Sequence, residues 1–105
     1  MNFIKVTKDY IWKIAHGKSV PHGIFEMHEY FRQYGSINFE WKWEDDIYVA
    51  VSTNFRHGSI VTNGRTRDEL DRNIKDAILT SFDIPSAYSR EAKIERVGSY
   101  NYALA

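Results

Sequence analysis

The sequence predicts an α+β domain: a three-stranded antiparallel meander, one packed helix and a final strand (β-β-β-α-β), preceded by an N-terminal helical extension. Three observations predict it. In residues 37–44, Ile37, Phe39, Trp41 and Trp43 alternate with Asn38, Glu40, Lys42 and Glu44, the period-two pattern of a half-buried strand. In residues 67–82, Leu70, Ile74, Ala77, Ile78 and Phe82 recur on one helical face, with Asp68, Asp71, Arg72, Lys75 and Asp76 largely on the other. Between them, Thr66 and Glu69 are spaced as a capping box, in which the Thr66 hydroxyl accepts from the Glu69 N–H and the Glu69 carboxylate reaches back to the Thr66 N–H. The helix is therefore expected to start near Arg67.

The chain has 105 residues, enough for one hydrophobic core and too few for two. Hydrophobic residues make up 43% and charged residues 27%, the balance of a chain that folds. Lys plus Arg equals Asp plus Glu at 14 each, so no global field draws the chain to nucleic acid or anionic lipid. There is no cysteine, which excludes a disulfide framework and a thiolate zinc site and fits a cytoplasmic location. Lysines interrupt the apolar runs of residues 1–13, so neither a signal peptide nor a spanning helix is expected and no membrane partner is implied.

In chain order, residues 7–17 fit a helix capped by Thr7 and closed by Gly17, with Ile11, Ile14 and Ala15 inward; Tyr10, Trp12 and Ile14 also alternate as in a strand. The helix is the reading adopted. Residues 22–34 form a firmer helix, with Ile24, Met27, His28, Phe31 and Tyr34 at helical spacing, Ser19 and Pro21 at its entry and Gly35 as its stop. The two would make a helical hairpin. As a DNA reader it is poor, because the second helix offers Glu26, Glu29, Arg32 and Gln33 to a groove.

After the first strand, Asp45-Asp46 makes a tight turn, and residues 47–53 form a second strand with Ile47, Val49 and Val51 on one face. Residues 54–58 connect to a short third strand at 59–62, and Asn63-Gly64 supplies positive φ before the helix. Pro85 stops that helix near Phe82 or Asp83. Residues 92–97, with Ile94 and Val97 among charges, form the last strand, and 98–105 read as a C-terminal tail. The organisation is one domain: extension 1–36, core 37–97, tail 98–105.

Chemical motifs are sparse. His16, His22, His28 and His57 have Glu26 and Glu29 nearby, but His22 and His28 do not share a helix face, so no metal site is expected. Asp45-Asp46 reads as a turn former rather than a carboxylate pair. Ser36, Ser52, Ser59 and Ser81 lack a nucleophile context, and Gly58 with Gly64 lacks the lysine of a phosphate loop. No catalytic residue and no cofactor is assigned. Aromatic residues are abundant at 15%. Around Trp41 and Trp43 the sequence neighbours Glu40, Lys42, Glu44, Asp45 and Asp46 are mostly acidic and repel a phosphate backbone. Arg56, His57, Arg65 and Arg67 form the one basic cluster, a contact for nucleic acid or an acidic surface, partly cancelled by Asp68, Glu69 and Asp71.

The strand at 47–53, Gly58-Ser59-Ile60, Gly64-Arg65-Thr66, Asp68-Glu69-Leu70 and the run from Asn73 to Ala77-Ile78 resemble the N-terminal domain of HicB-type antitoxins. In that family a G-x-T-x-E-E-A stretch opens the helix after a β-meander. The resemblance covers roughly residues 37–97. It implies a β-β-β-α-β fold similar to a pared-down ribonuclease H or double-stranded-RNA-binding domain, without catalytic carboxylates, that blocks a small RNA-cleaving toxin. Three departures stand out. Asn54-Phe55-Arg56-His57-Gly58 replaces the family's L-P-G-C type segment, no repressor module is expected after Ala105, and residues 1–36 are foreign to the pattern.

The expectation is a binding protein and no enzyme, an HicB-like antitoxin or solitary relative that occludes a protein partner, a toxin or nuclease complex, through a sheet edge or the aromatic strand face. The residues assigned to that contact are Trp41, Trp43, Tyr48, Phe55 and Arg56. One alternative is an anti-CRISPR-like inhibitor carried by a phage or mobile element, for which balanced charge favours protein contact over DNA mimicry. Another is RNA binding through Arg56, Arg65 and Arg67. Homodimerisation through a free strand edge fits either.

Overall fold

The computed structural model describes residues 19–104. Helix α1 (Ser19–Tyr34) leads into strands β1 (Ile37–Glu44), β2 (Ile47–Ser52) and β3 (Val61–Gly64), then helix α2 (Arg67–Ser81). A 3-10 turn (Ser86–Tyr88) and short helix α3 (Ser89–Ala92) precede β4 (Ile94–Arg96) and β5 (Asn101–Leu104). The strands form one antiparallel sheet in the order β3-β2-β1-β5-β4. The α+β class and the meander are as the sequence predicts. The helix or strand expected at residues 7–17 lies outside the described residues.

The segment read as a tail is instead a central strand. β5 pairs with β1 through Ile37↔Tyr102 and Asn38↔Asn101, and the Phe39 N–H donates to the Tyr100 carbonyl at 2.9 Å. The driving force is aromatic burial, since Tyr100 and Tyr102 are two residues apart, point to the same face and are almost completely enclosed. β4 forms the sheet edge beside β5, and the predicted start of that strand, Ala92, is a buried residue of α3.

Asp45 and Asp46 form the expected tight turn, with φ of 52° and 63°, the paired left-handed geometry that matches the twist of a two-residue hairpin. The register Trp41↔Ala50 and Trp43↔Tyr48 places Tyr48, Ala50 and Ser52 on the helix-covered face. Ile47, Val49 and Val51 accordingly share the open face with Glu40, Lys42 and Glu44. Val51 pairs there with Val61 of β3, and the two remain 38% and 48% exposed.

β3 starts two residues later than predicted, and Asn63-Gly64 ends the strand rather than making a turn. Neither residue has positive φ. Gly64 is required for a different reason: a Cβ there would lie 2.5 Å from the Leu70 nitrogen, because the first turn of α2 crosses directly over it. The Thr66 hydroxyl accepts from the Glu69 N–H at 3.0 Å as expected, but the Glu69 carboxylate reaches one residue further back, to the Arg65 N–H at 3.2 Å. At the other end, the Ile84 N–H donates to Leu79 and the Asp83 N–H to Thr80, with Asp83 in the left-handed conformation, which closes the helix as a Schellman turn. Leu70, Ile74, Ile78, Leu79 and Phe82 are buried.

Helix α1 begins before the predicted His22 and buries Gly23, Met27, Tyr30 and Phe31; His28 and Tyr34, assigned to the inner face, are exposed. Met27 and Phe31 are buried as predicted and Ile24 packs partly against the core, but the stripe turns from His28 and Tyr34 toward Tyr30 and Gly23, whose lack of a side chain lets the helix approach the Phe82 carbonyl and the Ile84 side chain. Gly35, at φ 79°, is the predicted stop.

Candidate functional site: an aromatic and cationic surface at the start of α2

Burial falls along the inner face of β1, from Ile37 and Phe39, enclosed in the core, through half-buried Trp41, to Trp43 at 53% exposure. The cause is the position of α2. The first turn of α2 crosses the Trp43–Tyr48–Gly64 row at its Gly64 end and carries Arg67 over Trp41, whereas Trp43 lies at the opposite end of that row. Gly64 contributes no side chain to that row.

The rings there are in mutual contact. Tyr48 contacts both indoles, 5.3 Å from the Trp41 centroid and 4.6 Å from that of Trp43, and Tyr100 meets Trp41 at 5.7 Å. Each arrangement is the T-shaped geometry favoured by the ring quadrupoles. The Arg67 guanidinium lies over Trp41 at 4.8 Å and over Tyr100 at 5.8 Å, and its Nε–H donates to the Tyr100 hydroxyl at 3.2 Å. That hydrogen bond raises the already high pKa of Arg67, so its charge is permanent. Arg96, from β4, lies over the Tyr100 ring at 5.5 Å. Beneath them, Asp71 accepts from the Tyr102 hydroxyl at 2.7 Å and pairs with Lys75 at 3.3 Å and, more loosely, with Arg96 at 3.9 Å.

Of the acidic neighbours inferred for Trp41 and Trp43, those on β1 do not lie on this face. Strand alternation turns Glu40, Lys42 and Glu44 to the opposite side of the sheet, where Lys42 and Glu44 pair with each other at 2.8 Å. Arginines from distant positions, 67 and 96, take their place beside the rings. Among the described residues, no carboxylate lies within ion-pair distance of Arg67. Tyr100 and Arg96 are the members the sequence reading missed, because their role depends on the tail folding back as β5 and on β4 beside it.

Of the residues assigned from sequence, Trp41, Trp43, Tyr48 and Arg67 meet here. Phe55 and Arg56 belong to a separate cluster at the C-terminal end of α1. Phe55 is half-buried 5.2 Å from the Tyr30 ring and 5.8 Å from Phe82, the Arg56 N–H donates to the Tyr30 hydroxyl at 2.9 Å, and the Arg56 guanidinium lies over Tyr34 at 4.8 Å. His57 joins this cluster 5.1 Å from Tyr30. Arg65 is exposed at the β3–α2 junction. Among the described residues, no group of three or more His, Asp or Glu is placed to hold a metal ion, and no helix is long and apolar enough to cross a membrane. No protein-family model, curated protein or solved structure matches this chain.

Proposed function

We propose that the chain is a non-catalytic cytoplasmic binding protein, an HicB-like antitoxin or a solitary relative, that inhibits a protein partner such as a ribonuclease toxin by covering its working surface. The observation that carries this reading is the exposure of Trp43 in a fixed aromatic setting. An indole held by Tyr48 and left 53% open presents a large apolar area whose rotamers are already restricted, so little entropy is lost when a partner buries it. Trp, Tyr and Arg are the residue types that dominate binding energy at protein interfaces, and Trp43, Trp41, Tyr48, Tyr100 and Arg67 supply all three within one surface. Phe55 and Arg56 would extend the contact only for a partner that also reaches the far end of α1.

A second copy joined along a sheet edge would present the surface twice. The test is affinity capture of the tagged chain from lysate of its host, with and without nuclease, followed by mass spectrometry. A small ribonuclease retained after nuclease treatment supports the antitoxin reading. A defence nuclease complex retained in its place transfers the same occlusion mechanism to an inhibitor carried by a phage or mobile element. Partners retained only while RNA is intact contradict occlusion by protein contact.

A further inference from the structure

We infer that the Trp43–Tyr48–Trp41 face, with Arg67 and Arg96, is a binding platform for single-stranded nucleic acid, a ligand class beyond the protein partner proposed above. A single strand offers unstacked bases and a line of phosphates, and a surface that holds it without reading sequence needs aromatic faces interleaved with cations. Both are present on one side of the sheet. Trp43 meets Tyr48 at an interplanar angle of 64° and is 53% exposed, so a large part of the indole is accessible to a base. Arg67 covers Trp41 with a planar guanidinium that itself stacks, and its Nε–H is committed to Tyr100. The remaining N–H groups of Arg67 meet no carboxylate among the described residues, and a guanidinium fork is suited to a phosphate. Arg96 places a second guanidinium over the Tyr100 ring, and Asp71, which pairs with it at 3.9 Å, is shared with Lys75 and the Tyr102 hydroxyl.

Two features favour nucleic acid over an acidic protein segment. The cations are arginines stacked on rings, an arrangement that continues with a base as the next layer, whereas a carboxylate gains nothing from the indole face. The acidic side chains of β1 also point away from the surface, so the strand's own charge does not oppose a phosphate backbone.

The test is fluorescence anisotropy of labelled short oligouridylate and oligothymidylate titrated with the full chain, alongside quenching of the tryptophan emission. Binding with quenching, weakening steeply between about 50 mM and about 200 mM salt, is the expected result. Trp43→Ala and Arg67→Glu should each weaken it by about tenfold, as loss of a stacked base or of a phosphate contact does. Arg32→Glu, the same charge change on α1 where Arg32 pairs with Glu29, should leave it unaltered. Circular dichroism confirms that each variant is folded. Absence of binding at low salt, or binding that Trp43→Ala and Arg67→Glu leave unchanged, overturns the inference. So does quenching of the tryptophan emission by a glutamate-rich peptide with none by either oligonucleotide, which would reassign the surface to acidic proteins. Preference between the two oligonucleotides separates RNA from DNA as the source.

Discussion

The guanidinium of Arg67 lies 4.8 Å from the centre of the Trp41 ring, joining the first residue of α2 to the middle of β1. An arginine at a helix N-terminus opposes the helix dipole, so this position is unfavourable for the isolated helix. The indole and the Tyr100 hydroxyl give the charge a specific destination that offsets the conflict. Arg67→Ala should therefore leave the fold intact, with a small change in melting temperature, while altering the near-UV dichroism and emission of Trp41. Arg67→Lys should restore little of the signal, because an ammonium lacks the planar stack. Identical spectra for all three proteins would show that the contact does not persist in solution.

Gly64 should tolerate no side chain. In Gly64→Ala the new Cβ meets the backbone of Leu70, at 2.5 Å from its nitrogen and 2.8 Å from its Cα, and neither atom can rotate away. Overpacking of this kind costs about 1–3 kcal/mol. Urea denaturation should show a loss of that size, with an unchanged m-value if both states keep their compactness.

The hairpin tip can be improved. Asp45 and Asp46 both hold left-handed φ and place two like charges side by side. Replacing them with Asn-Gly, the preferred pair for this turn, should stabilise the domain by about 1 kcal/mol, read as a raised midpoint in urea.

Tyr102 sets an alkaline limit. Burial, then its hydrogen bond to the Asp71 carboxylate, pushes the phenol far above its ordinary value. A raised pKa means that the folded state keeps a proton which the unfolded state releases above about pH 10. The contribution is complete below that pH and declines as pH rises, with a slope approaching about 1.4 kcal/mol per unit. Tyr102→Phe should be less stable at neutral pH, since a hydrogen bond to a charged group is worth about 1.5–3 kcal/mol. It should also lose stability less steeply than the wild type between about pH 10 and 11. Parallel alkaline profiles would contradict the assignment.

Much of the fold is legible in the sequence because its strongest patterns are local. The alternation in β1, the stripe on α2, the Thr66 cap and the Asp45-Asp46 turn each involve residues close in the chain, and each forms as read. The errors arise where a distant element decides. Gly64 looks like a turn residue until α2 is laid across it. Tyr30 rather than His28 takes the inner face of α1, beside the close approach at Gly23. Residues 98–105 carry too short a pattern to announce a strand, and only pairing with β1 buries Tyr100 and Tyr102. The same dependence governs the site. The aromatic half, Trp41, Trp43 and Tyr48, is readable from the hairpin, whereas the cationic half is assembled by tertiary structure from Arg67 and Arg96. Sequence neighbours suggested an acidic surface, and strand alternation turns those on β1 away from it.

The most direct test of the account compares Trp43→Ala with Trp41→Ala for both thermal stability and recovery of the captured partner. Trp43 is half open and Trp41 is packed between Arg67, Tyr48 and Tyr100, so the two changes should separate fold from function. Trp43→Ala should melt within a few degrees of the wild type, consistent with loss of one aromatic contact worth about 0.5–1.5 kcal/mol, and should no longer retain the partner. Trp41→Ala should lose stability as well as binding. A Trp43→Ala protein that unfolds, or that remains folded and retains the partner undiminished, would contradict the claim that this exposed indole is the working surface.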